Sequence, residues 1–415
     1  MNRSGFHSFW ELPVKRSYYL RRIFSGYGTI LTSIILFFFV LSCNPKNPSS
    51  SDTSLVNGFL YAMFNSYNPK PFLQNMGRNI IPPLYSDLNS KAQDLVTKAT
   101  ALSTCNAGTL SNVQASWLAN ISAVKKVELY RFGPSNTYYP LFDAWPGEAT
   151  KTVSPESPPS NGDMDDLDAS PGFSGTAAAY IGTLDKDAKG LPAIEYVIYV
   201  KPASYGASAL SCSDMSANRY QLLLALVNDY AANVAALAAA WAPNGTAPYG
   251  EQLATAGNGS TVFPNSAGAL NTIFASAIRE LSTMKDGKLE APAGLAQGGN
   301  GSVINLSLSE SRFSGNSIQN LRDNLSSFKT FYLGGGGIGF SDYVTFYSPT
   351  LDTQAKAQIS LLESTLNSFN SISAGNMAAI KQAVTQLNTL LTILNTQLAA
   401  IVGSGVVSGH TGDGD

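Results

Sequence analysis

From Met377 onward, apolar residues fall at Ile380, Val384, Leu387, Leu391, Leu394, Leu398 and Ile401, in alternating steps of four and three. That spacing lays one continuous seam along a helix of about seven turns. Residues 214–241 are rich in Ala and Leu and apolar on more than one side, which predicts a largely buried helix. Weaker helical patterns cover 83–103, 111–130, 173–183, 267–284, 316–332 and 351–370, and breakers cluster in 133–172, 242–266, 291–310 and 333–350. Only V-E-L-Y-R-F at 127–132, Y-V-I-Y-V at 196–200 and Y-V-T-F-Y at 343–347 look β-like, and each reads equally as a buried helix end. Long antiparallel helices joined by irregular loops predict an all-α protein built of bundles, two in tandem at this length.

The pattern differs at the N-terminus. Lys15, Arg16, Arg21 and Arg22 precede an apolar run that ends V-L-S-C at Cys43, and a Pro/Ser-rich polar stretch follows. This order is that of a bacterial export signal. The run is about 14 residues, short of the roughly 17–25 that a spanning helix needs. V-L-S-C resembles the lipobox of bacterial lipoproteins, which implies that residues 1–42 are removed and Cys43 carries lipid. The expected organisation is then a tether at 43–54, helical-bundle domains at 55–205 and 206–405, and an acidic tail at 406–415. The expected location is the bacterial envelope, with the chain held on a bilayer through Cys43.

Only 13% of residues are charged. Beyond residue 42 the chain carries 21 basic against 27 acidic groups, a balance without a basic stripe that argues against nucleic acid. With Cys43 assigned to lipid, Cys105 and Cys212 remain in an oxidising compartment and are predicted to pair, the alternative being two separate buried thiols.

Histidine is confined to His7 and His410, which disfavours a His-rich zinc site, a Ser-His-Asp triad and a Cys-His dyad. G-G-G-G-I-G-F at 334–340 lacks the Lys-Ser/Thr of a phosphate loop and reads as a helix terminator. Asp163, Asp165, Asp166 and Asp168 miss the glycine and glutamate of a calcium loop and read as a solvated turn.

A more specific constellation runs through the chain. N-I-I-P-P at 79–83 precedes W-L-A-N-I-S-A-V-K-K-V-E-L-Y-R-F-G-P at 117–134 and F-D-A-W-P-G at 142–147. K-G-L-P-A-I-E-Y-V-I-Y at 189–199, M-K-D-G-K-L-E-A-P-A-G at 284–294 and S-R-F-S-G-N-S-I-Q-N-L-R-D-N-L at 311–325 follow. Their order resembles the imelysin-like family of bacterial envelope proteins over about residues 55–415. The resemblance implies two related helical bundles with a cleft between them, and a family that includes peptidases and iron-regulated proteins. Its hallmark is G-x-H-x-x-E. Here Gly190 and Glu195 match, while Pro192 stands in place of the histidine.

Proline offers a metal no lone pair, and it is accepted in a first helical turn. Glu195 is therefore either a buried salt-bridge partner or a cleft ligand, with Arg131, Arg312 and Arg322 as candidate partners. Trp117, Trp145 and Trp241 are either core residues or a pocket floor, Trp145 being the one assigned to the cleft. The expected function is a non-catalytic binding lipoprotein with an implied link to iron uptake, taking a small ligand, a peptide, or a divalent metal or iron. The alternatives are a metallopeptidase using Glu195, with Glu195 a weak metal candidate, and a structural or host-facing interaction protein.

Overall fold

The computed structural model describes residues 67–144, 162–168, 172–243, 245 and 248–402. Cys43, Trp145, His410, the leader, the tether and the acidic tail lie outside them. The described residues form helices and no sheet, with one isolated antiparallel bridge between Val200 and Ala209. The longer helices are α1 (Ile81–Thr100), α2 (Ala107–Glu128), α3 (Gly190–Tyr199), α4 (Ala217–Trp241) and α5 (Ser266–Lys285). They are followed by α6 (Ser317–Leu333), α7 (Phe340–Tyr347), α8 (Pro349–Asn367) and α9 (Met377–Leu391).

Local chemistry sets the ends. Asn106 opens α2 with a capping box, its Oδ1 accepting from Gly108 and Thr109 N–H while Thr109 Oγ1 accepts from Asn106 N–H. Ser216 caps α4, and Ser348 followed by Pro349 starts α8. The glycine run ends α6 as expected, with Gly334 left-handed at φ 81°. Asn75 Nδ2 then donates to the carbonyls of Gly334 and Ile338, pinning the loop.

Two expectations need correcting. Residues 343–347, open between strand and buried helix end and set within the breaker-rich 333–350, are the end of a helix, α7, whose Phe340 and Val344 are buried. The seam of α9 also turns: Ile380, Ala383, Leu387 and Leu390 are buried, while Val384 and Leu391 sit half-buried at its flank. The helix then widens into a π segment at Thr392–Leu398, which brings Ile393, Leu394 and Leu398 inward. A strict alternation of threes and fours cannot foresee such a change of pitch.

Helices α1–α4 pack on one another, and so do α5–α9, within the compact unit Asn68–Asp415. The two groups meet chiefly where α2 lies against α6. Trp117 and Trp241 are fully buried core residues, Trp117 Nε1 donating to Leu191 O at 2.8 Å. By length and composition α4 could cross a membrane, yet it lies along α1 with Leu222, Leu223, Leu226 and Val227 in the core. Cys105 and Cys212 form a disulfide, joining the α1–α2 turn to the start of α4 across 107 residues.

Candidate metal and carboxylate centre

Lys125 and Glu128 stand one turn apart on the buried face of α2, beside Ile121, Val124 and Val127. Asp143 arrives from the short turn after Tyr139, whose hydroxyl donates to Asp143 Oδ2. From the other helix group come Asn324 of α6, Glu310 before it, and Lys288 on a π segment at Asp286–Glu290 that extends α5. All are buried or nearly so.

Lys125 Nζ donates to Asp143 Oδ2 at 2.8 Å and Glu310 Oε1 at 3.0 Å, and lies 3.3 Å from Glu128 Oε2. Lys288 Nζ donates to Glu128 Oε2 at 2.6 Å and Asn324 Oδ1 at 3.0 Å, and lies 3.2 Å from Glu310 Oε1. Asn324 Nδ2 donates to Glu128 Oε2 at 2.9 Å.

Burial works against every charge here, and partners decide the outcome. Lys125 and Lys288 are held above the ordinary lysine range because the carboxylates outweigh their desolvation. Glu128, facing both ammonium groups, is driven below the carboxylate range despite burial. Asp143 goes the other way: burial raises it to about 7, with Glu128 and Glu310 repelling its charge against the pull of Lys125. Glu280 of α5, buried and near Glu128, rises to about 8.

Glu128, Asp143 and Glu310 each place one carboxylate oxygen within 4.8 Å of the others. This buried cluster can coordinate a divalent metal ion. An all-oxygen set suits a hard cation, and Asp143 Oδ1 is buried without a hydrogen-bond partner among the described residues. The two ammonium groups bind the same oxygens, so a cation must displace or deprotonate one of them. Apart from this cluster, no three His, Cys, Asp or Glu groups converge among the described residues.

The motif glutamate lies elsewhere on the same seam. Gly190 opens α3 at φ 71°, and a Cβ there would meet the Phe142 backbone at 2.6 Å, so only glycine fits. Pro192 sits in the first turn and Glu195 one turn on, both buried. Glu195 Oε1 accepts from Ser314 N–H at 2.7 Å, while Oε2 has no hydrogen-bond partner among the described residues. Burial lifts Glu195 to about 7 against the hydrogen bonds from Ser314 and the charge of Arg312. Pro192 beside it supplies no metal-binding atom, and among the described residues Glu195 belongs to no group of three ligating side chains.

Of the three candidate arginines, Arg312 faces Glu195 electrostatically and donates to Ser307 O at 2.6 Å. Arg131 stacks over the Tyr139 ring at 4.3 Å. Arg322 donates to the carbonyls of Leu366 and Phe369, closing the end of α8. The acidic turn is not purely solvated: Asp168 pairs with Arg219 at 3.0 Å and accepts from Tyr196 OH at 2.6 Å.

Sequence reasoning passed over the Lys125–Glu128 cluster. Its signal was a lysine and a glutamate at i and i+3 on the apolar stripe of α2, where solvated charges do not belong.

The imelysin (peptidase M75) family model matches residues 81–401. A crystal structure of a protein designated an iron-regulated protein A precursor, from Parabacteroides distasonis, is similar with TM-score 0.63 at 17% identity, over 80% of this chain and 94% of that one. An imelysin-like protein from Psychrobacter arcticum gives TM-score 0.57 at 16% identity, over 81% and 96%. At these identities the likeness carries the fold alone. No curated protein matches significantly.

Proposed function

This chain belongs to the imelysin family, and from that premise we propose that it is an envelope-anchored, metal-dependent peptidase whose cation is held by Glu128, Asp143 and Glu310. The convergence of those three buried carboxylate oxygens carries the reading. A hard cation there would polarise a peptide carbonyl as a Lewis acid. Glu195 serves as the general base, since burial holds its carboxyl near neutral pH and leaves Oε2 free to accept a proton. Glu310 of the cluster and Ser314, which donates to Glu195, lie four residues apart, so their Cα atoms are at most about 13–14 Å from one another.

The export signal, lipidation at Cys43 and an envelope location complete the proposal, supported by the lipobox-like V-L-S-C. So does a cleft between two bundles.

A second reading is binding without turnover, in the iron-linked setting that the Parabacteroides relative's designation suggests. Lys125 and Lys288 favour it, since they already neutralise most of the carboxylate charge.

The two readings part in one experiment. Purified chain is incubated with unstructured peptides and Mg²⁺, Ca²⁺, Mn²⁺, Fe²⁺ or Zn²⁺, beside Glu128→Gln and Glu195→Gln. Metal-dependent cleavage lost in both variants supports the peptidase. Stoichiometric metal by elemental analysis without cleavage supports the binding reading. No bound metal in any condition overturns the metal centre.

A further inference from the structure

We propose that the loop 291–308 forms a binding site for an uncharged saccharide, separate from the buried carboxylates. The loop lines an open hollow of about 330 Å³, inside the range of roughly 300–1,000 Å³ seen for small-molecule sites. Its walls present Gln297, Asn300, Ser302 and Asn305 together with Val303 and Leu308, and no charged side chain.

The shape is fixed by backbone. Gly301 N–H donates to Gly294 O at 3.0 Å, Asn305 N–H to Pro292 O at 2.9 Å, and Gly299 N–H to Ala296 O at 3.0 Å. Gly294 is left-handed at φ 68°, and a Cβ there would strike Val303 O at 1.9 Å. Gln297 is left-handed at φ 53°, a conformation few non-glycine residues adopt. Asn300 Oδ1 accepts from Ser302 N–H, which orients the side chain and leaves Nδ2 without a protein partner among the described residues.

Carboxamides and a hydroxyl around a small apolar wall match a pyranose, which offers hydroxyls at its rim and C–H groups on its face. Val303, 73% exposed, sets an apolar side chain beside these polar groups. No charged side chain lines the hollow, so a charged ligand would find no counter-ion in its walls.

Saturation-transfer NMR on the full chain tests this with glucose, galactose, mannose, N-acetylglucosamine and their disaccharides, beside N-acetyl-trialanine amide as a neutral peptide. The expected result is transfer to the ring C–H protons of at least one saccharide, weakened tenfold or more in Asn300→Ala and in Val303→Asp. Circular dichroism confirms that each variant keeps its helices, and Gln297→Ala replaces either one that does not. Transfer to no saccharide, transfer to the peptide alone, or saccharide transfer unchanged in both variants would overturn the proposal.

Discussion

Glu195 keeps one oxygen on the Ser314 amide and leaves the other without a hydrogen bond, so its charged form is costly to bury. A carboxyl raised from 4.5 to about 7 favours the folded state while it is protonated. That contribution, roughly 3 kcal/mol, is complete below pH 4.5 and is lost as pH rises through 7. Asp143 and Glu280 shift in the same direction, so the whole-protein slope is shared among them. Glu195→Gln should remove one proton's worth of it and raise stability at pH 8 relative to pH 5. Urea unfolding of both proteins at pH 5, 6.5 and 8 checks this, and parallel curves would refute the assignment. Gly190 makes a second demand at this scale. Gly190→Ala has to force a left-handed alanine into the Phe142 backbone, and a loss on the order of 2–4 kcal/mol is expected in the same unfolding assay.

Among the elements, the apolar repeat made most long helices legible, because a face buried along its length must recur every three or four residues. α4 and α5 begin and end within a few residues of the expected limits. α7 stayed ambiguous between strand and helix end because five aromatic and β-branched residues in a row carry no period. The Lys288 π segment was equally invisible, since a change of pitch leaves no mark in a hydrophobic pattern. Yet it is this segment that turns Lys288 onto Glu128. Lys288→Met should therefore cost about 3–5 kcal/mol, the usual consequence of leaving a buried carboxylate short of a partner. A loss below 1 kcal/mol would mean that Lys125 alone satisfies Glu128. The disulfide was readable by elimination, once Cys43 was set aside. Opening it by Cys105→Ser with Cys212→Ser should lower stability by up to roughly 4–5 kcal/mol in the chain-entropy model, as judged by unfolding without reductant.

Across the molecule, the residues of interest gather where helices α1–α4 meet helices α5–α9. Lys125, Glu128, Asp143 and Glu195 come from the first group, and Lys288, Glu310, Ser314 and Asn324 from the second. Neither half of the sequence shows the site by itself, which is why reading along the chain found Glu195 by its motif and not the cluster. The same arrangement sets a linkage. A divalent cation at Glu128, Asp143 and Glu310 competes with two ammonium groups that those carboxylates hold strongly protonated. Binding must then displace an ammonium group, release a proton, or both. Affinity for Mn²⁺ or Ca²⁺ should rise with pH, and calorimetry in buffers of different ionisation enthalpy should show proton release. Lys125→Met removes one competitor and should tighten binding while flattening its pH dependence. If the variant instead binds no better and wild-type affinity is flat from pH 6 to 9, the lysines hold the cluster closed. The seam is then a salt-bridge lock between two helix groups, and Glu195 is left as the group to pursue.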